Sequence, residues 1–359
     1  MPRYARCLPW RGLLIVHTWH YFQGEIKELD AMTTTLASPQ MNTLLTPAFV
    51  QVTASSWREA KELGQRLLQT YVFRGMRSSE WPLRTSLERA ATQFGIRAED
   101  RPLQERAILA AFKSRAQQYI QSPPDEKNDI EWLSLIQENG GPTRLLDFTE
   151  SFYIATFFAV ENTDQEACVW AVNRGLLNSR LQAWGFNKFV TDGRNSIYST
   201  TLIELAEQVI FAKTKAPLLL VFPLMAPRLN ERLAVRKGLF LLPCDLTATF
   251  ENNLCASFKL RFDSLSADHA KELKASDMTE EDMPDAPVIK INLPEPIHND
   301  AIRDLYSMNI DAASLFPGLE GFARSLKYLA RIHEASTRRY ASMHTITRPL
   351  GSQFPKRFS

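Results

Sequence analysis

The stretch QENGGPTRLLDFTESFYIATFFA, residues 137–159, decides how the rest of the chain is read. A Gly-Gly-Pro turn leads into an apolar strand-like run, followed by an acid and a hydroxyl, Asp147 and Thr149. The segment closes as a helix that places Phe152, Ala155, Phe158 and Ala159 on one face. Two polar side chains between a strand and a helix fall near the helix N-terminus, where backbone N–H groups lack intrahelical partners. Two readings are open. Either Asp147 or Thr149 caps the helix, or the pair shapes a ligand site, since helix N-termini bind anions.

Upstream, TYVFRGM at 70–76 reads as a strand, because Tyr71, Val72 and Phe73 are strand formers. It ends at Arg74-Gly75. A guanidinium at a strand end can bind phosphate or carboxylate through two parallel hydrogen bonds. Glycine permits close backbone approach. A compatible reading makes Arg74 the buried partner of an internal acid, with Asp147 the obvious candidate.

Working outward, SWREAKELGQRLL has helical spacing at Trp57, Leu63 and Leu67, with Ser55 or Ser56 as N-cap. RPLQERAILAAFKSRAQQYI predicts an amphipathic helix with Leu103, Ile108, Ala111 and Phe112 on one side. IEWLSLIQEN predicts a helix stopped by Gly140. ACVWAVN, PLLLVFPL, part of ERLAVRKGLFLLPC, CASFKLRF and PVIKINLP read as strands. STTLIELAEQVIF, PEPIHNDAIRDLYSMNI and GFARSLKYLARIHEAS read as helices. Strands separated by helices of unequal length, without strict alternation, predict an α+β fold with a mixed or mainly antiparallel sheet. The expected organisation is a flexible arm or over-extended start at 1–48, one α+β domain at 49–336 with its core motifs in 65–172, and a basic disordered tail at 337–359. A polar insert is expected at about 266–287 within that domain.

The chain has 359 residues, 45% of them hydrophobic, enough for a sizeable core. Its formal charge of +2 gives no general argument for nucleic acid or a membrane surface. Arg338, Arg339, Arg348, Lys356 and Arg357 make the tail basic, yet no aromatic interleaving accompanies them, and a solvated tail is the preferred reading. The four cysteines form no CxxC pair, which fits a reducing cytosol, and no HExxH is present. No metal is expected. No apolar run reaches the roughly 18 residues of a membrane span, so the expected location is the cytoplasm.

FRG at 73–75 and GPTRLLDFT at 141–149 resemble the two motifs of the FRG domain, a bacterial family named after its Phe/Tyr-Arg-Gly motif. The family's longer motif is matched by Gln137, Gly140, Pro142, Thr143, Arg144, Leu145, Leu146, Asp147, Thr149, Ala155, Phe158 and Ala159. WPLRTSLER, RLAVRKGLF and LYSMNIDAASLFPGLEGFAR are similar to later family segments, so the resemblance covers roughly residues 55 to 330. Glu138 and Asn139 replace the family's His and Tyr, Phe148 its Trp, and Arg236 its Gln before Gly-x-Phe. If that His or Gln does chemistry in the family, this chain lacks the activity or runs it differently.

A weaker similarity is to mono-ADP-ribosyltransferases of the Arg-Ser-Glu type. It implies Arg74, Gly75, Thr143, Arg144 and Asp147 around a bound NAD, Thr149 near the reacting ribose, and Glu231 as the acid of a third motif. Cleaving nicotinamide from NAD develops positive charge on the ribose, which a carboxylate stabilises. A solvated surface acid is the competing reading of Glu231. The implied function is ADP-ribosyl transfer or NAD hydrolysis in a defence or toxin-like setting, with a protein or nucleic acid as acceptor. The alternative is a non-catalytic nucleotide- or anion-binding module, or a protein-interaction effector.

Overall fold

The computed structural model describes residues 49–183, 218–225, 235–260, 265, 271–274 and 286–327. In chain order its first elements are β1 (Phe49–Thr53), α1 (Trp57–Leu67), β2 (Tyr71–Met76), α2 (Ser86–Gln93), α3 (Arg101–Ala116) and α4 (Asp129–Glu138). Next come β3 (Leu146–Thr149), α5 (Phe152–Val160), β4 (Ala167–Asn173), α6 (Arg174–Ala183), β5 (Val221–Leu224) and β6 (Gly238–Pro243). The last are α7 (Phe250–Ser257), β7 (Lys271–Lys274), β8 (Val288–Leu293), α8 (His298–Ser307) and α9 (Ala312–Leu315).

Among the described residues, the strands form one eight-stranded sheet in the order β5-β6-β3-β2-β4-β8-β1-β7. Every pair from β5 across to β8 is antiparallel, and β1 runs parallel to both β8 and β7. The mixed α+β sheet expected from the sequence is therefore the one observed.

The pleat sorts side chains to two faces. Tyr71 and Phe73 join the core built with α1, α5 and α8, whereas Val72, Trp170 and Val172 join the core under α7. A third cluster fills the space between α3, α4 and strands β5 and β6. Helix α5 packs on β2 and β4 and is buried nearly all round, which its apolar composition requires.

Several local expectations are met. Ser56 caps α1 by accepting the Glu59 N–H. Gly140, at φ 80°, follows the end of α4.

Other expectations are corrected. CASFKLRF is not a strand at its start: Cys255–Ser257 is the last turn of α7, whose N-cap is Thr249. The apolar face expected for α3 is revised in part. Ile108 and Phe112 pack against the core as expected, whereas Leu103 is 64% exposed and Ala111 is exposed, and Glu105, Leu109 and Ala116 are the buried positions. Tertiary contact overrode the apolar stripe there, because Glu105 is drawn inward by an arginine described below. Lys271–Lys274, inside the segment read as an insert, forms an edge strand against β1. β1 itself, FVQVT, was not read from the sequence. The predicted helix STTLIELAEQVIF lies outside the described residues, as do the 1–48 segment and the 337–359 tail.

Candidate functional site

The sheet comes apart between β2 and β3. β2 pairs with β4 along its whole length and β3 does so with β6, yet β2 and β3 meet at a single pair, Phe73 with Thr149. A continued antiparallel ladder would next set Arg74 against Phe148. The strands part instead, and the Arg74 side chain enters the gap. Its Nη1 donates to the Asp147 carbonyl at 2.7 Å, satisfying a backbone acceptor that a ladder would otherwise have served.

The same Nη1 lies 4.0 Å from Asp147 Oδ2, with side-chain exposures of 21% for Arg74 and 53% for Asp147. Arg74 Nε is buried without a hydrogen-bond partner. Burial holds the guanidinium below its ordinary value; the Asp147 carboxylate opposes that drop and the Arg89 charge adds to it. Arg74 therefore combines a solvent-reaching cation with a donor left unused, at the mouth of a split in the sheet. A buried polar group without a partner is costly and calls for an explanation.

Asp147 is held by a relay from α4. Gln137 Nε2 donates to Asp147 Oδ2 at 2.9 Å and to the Leu145 carbonyl at 3.4 Å. Its amide oxygen accepts from Thr143 Oγ1 at 2.6 Å and from Ser86 Oγ at 3.2 Å. Thr143 Oγ1 in turn accepts from the Leu145 N–H at 3.1 Å. Thr143 thus reaches the cleft through Gln137. The sequence flagged Gln137 only as a motif match; its role depends on α4 lying against β3.

The remaining predicted site residues are placed elsewhere. Arg144 is buried and turned away from the cleft. Its Nε donates to both Glu105 oxygens at 2.9 Å, and its Nη2 also meets Glu105 Oε2. Of Arg74 and Arg144, Arg74 is the one beside Asp147. Thr149 is buried and donates to the Arg236 carbonyl at 2.7 Å, while accepting the Ser151 N–H at 3.1 Å. The cap of α5 is Ser151, rather than Asp147 or Thr149, and it accepts from the Ile154 N–H. Gly75 faces α5. Glu231 lies outside the described residues.

Arg236 links this region to the C-terminal part. Its Nε donates to the Leu315 carbonyl at 3.0 Å, and its guanidinium lies 4.2 Å from the Phe316 ring centroid. Arg324 lies 4.3 Å from the same centroid and pairs with Glu161. The position that departs from the family's Gln is thus engaged in packing the LFPGLEG segment.

Residues 69–168 match the family model of the FRG domain. The chain carries an FRG domain. Its limits run from just before β2 into β4, so the domain holds Arg74, Gln137, Thr143, Arg144, Asp147 and Thr149. The rest of the sheet, including β6, β8 and β1, completes the fold around it. Neither the comparison with curated proteins nor that with solved structures gives a match. Among the described residues of this FRG-domain protein, no helix is long and apolar enough to cross a membrane, and no cluster of His, Cys, Asp and Glu could hold a metal ion.

Proposed function

We propose that the split between β2 and β3 binds a phosphate-bearing nucleotide of the NAD class, with Arg74 as the phosphate contact. The observation that carries this reading is Arg74 itself. It is a cation at the cleft mouth, fixed by the Asp147 carbonyl, with a buried Nε that lacks an acceptor. Charge-assisted hydrogen bonds from guanidinium to phosphate are among the stronger polar contacts available.

Within this reading Asp147 is the carboxylate suited to assist cleavage of the bond between ribose and nicotinamide. It is more than half exposed and oriented by Gln137. Developing positive charge on the ribose would face that carboxylate. Water as nucleophile gives NAD hydrolysis, and a protein or nucleic-acid group gives ADP-ribosyl transfer. The family resemblance supports a bacterial defence or toxin-like setting. A second reading, nucleotide binding without turnover, is favoured by Thr149, whose hydroxyl is already committed to the Arg236 carbonyl.

The test is incubation of the purified protein with labelled NAD, with and without cell lysate, following nicotinamide release and labelled adducts. Binding is followed in parallel by calorimetry. Arg74→Gln and Arg74→Lys are the matched variants, each checked for folding by circular dichroism. Turnover or binding that is lost in Arg74→Gln supports the reading. A folded wild-type protein that neither binds nor cleaves NAD removes it, and leaves Arg74 as a partner of the β3 backbone.

A further inference from the structure

The described residues end on a further helical stretch, 319–327, with the sequence LEGFARSLK. Its inward face is fixed. Gly321 is buried, and a Cβ there would stand 1.8 Å from the Phe316 carbonyl oxygen. Arg324 Nε donates to Oε1 of Glu161, the C-cap of α5, at 2.5 Å. The Arg324 guanidinium also lies 4.3 Å from the Phe316 ring centroid. Ser325 is buried on the same side. The helix cannot roll about its axis without breaking these contacts.

The outward face is therefore held toward solvent, and it is apolar. Leu319, Phe322 and Leu326 are 82%, 55% and 44% exposed, and Ala323 is exposed between them. Spacings of three, four and seven residues from Leu319 put all four on one stripe. Exposed apolar residues scattered singly are ordinary, whereas a continuous stripe marks an interaction surface.

The pattern of the stripe selects its partner, because it is complementary to itself. In an antiparallel pair of these helices related by a two-fold axis between Phe322 and Ala323, Leu319 faces Leu326 of the second copy. Each Phe322 then faces an Ala323, so a large side chain meets a small one. The charges agree with this register. Glu320 and Lys327 stand seven residues apart on one flank of the stripe. The two-fold axis brings that flank of one copy beside the same flank of the other. Glu320 of one and Lys327 of the other then differ by about 3 Å along the axis, within reach of an ion pair. A lipid surface favours a flank of basic residues only, and this flank carries both signs.

We propose that residues 319–327 form an antiparallel helix-to-helix contact between two copies of this chain. The inference is independent of the nucleotide reading. Three large side chains cover less than the roughly 800 Å² per partner of a standard interface, so the dimer is weak, with a Kd of about 10 μM or above.

The experiment is sedimentation velocity of the full chain from about 1 μM to about 300 μM. Wild type is compared with Phe322→Asp, Leu319→Glu, Glu320→Lys, and Glu320→Lys combined with Lys327→Glu. All changed side chains are exposed, and folding of each variant is checked by thermal unfolding. Wild type is expected to pass from monomer to dimer across that range. Phe322→Asp should weaken association by about a hundredfold, and Leu319→Glu should act in the same direction. Glu320→Lys sets like charges together twice per dimer and should weaken it by about fivefold, and the combined reversal should restore it. A wild type that stays monomeric overturns the proposal. If its melting temperature also falls in Phe322→Asp, the stripe is covered by another part of the same chain. A dimer that survives both Phe322→Asp and Leu319→Glu lies on another face and overturns it equally. A dimer lost in those variants but not restored by the combined reversal overturns the antiparallel register.

Discussion

Gly75 lies against the backbone of Ala155: a Cβ at position 75 would stand 1.8 Å from the Ala155 carbonyl oxygen and 2.7 Å from the Ala159 nitrogen. The glycine of the Phe-Arg-Gly motif is therefore what lets α5 sit directly on β2. Arg74, one residue earlier, is aimed into the gap at β3 by that same seating. Gly75→Ala forces the helix away from the strand. The expected loss is at least about 2 kcal/mol, read as a lower urea midpoint with an unchanged slope. Wild-type stability in Gly75→Ala would show that α5 can shift at little cost.

Arg144 stabilises the fold through Glu105, and both partners are buried. Removing one partner strands the other's charge in the interior. Arg144→Met should cost about 3–5 kcal/mol, while the double change Arg144→Met with Glu105→Leu should recover much of that loss. Urea unfolding of the two single variants and the double variant measures the coupling. Equal losses that simply add would contradict the ion pair.

Cys168 and Cys244 should be inert as nucleophiles. Burial is the main cause that pushes each thiol up to about 12, against ordinary values of 9.0. At pH 8 both are thiols, and the thiolate is the reactive form. Mass spectrometry after a brief iodoacetamide pulse should find neither alkylated in the native protein and both alkylated in guanidinium. Rapid native labelling of Cys168 would mean that its face of the sheet is open.

Glu251 predicts a pH effect of definite sign. Its carboxyl is raised from 4.5, first by burial and then by Glu88, against the Leu83 N–H, Arg84 and Lys290, which lower it. The folded protein thus holds this proton more tightly than the unfolded chain. The stability it contributes is fully present below pH 4.5 and is lost as pH rises through the raised folded value. Glu251→Gln keeps an acceptor for the Leu83 N–H and removes the titration. The melting temperature of this variant should gain on wild type as pH rises from 4 toward neutrality. A constant difference across that range would show that Glu251 titrates at its ordinary value.

Much of the site was legible in local pattern. Tyr71-Val72-Phe73 reads as a strand because its side chains suit a buried sheet, and Gly140 marks the end of α4 because it accepts φ 80°. Asp147 was also legible as a candidate partner of Arg74, although both residues lie inside their strands, β2 running on to Met76 and β3 to Thr149.

The sequence by itself determined the α+β class, the strand–helix junction at 146–160 and the presence of the FRG motifs, because each depends on residues close together in the chain. Only the tertiary structure decided which arginine serves the cleft. Arg144 finds Glu105 and Arg74 finds Asp147 across 39 and 73 residues, and nothing in either motif ranks those partners. It also decided that Thr149 bonds to the Arg236 carbonyl, that Cys255–Ser257 finishes a helix, and that Lys290 comes to lie over Trp170. These outcomes are set by strand order and register. A side chain's neighbours on a sheet belong to other strands, and their identity is fixed only when the whole sheet forms.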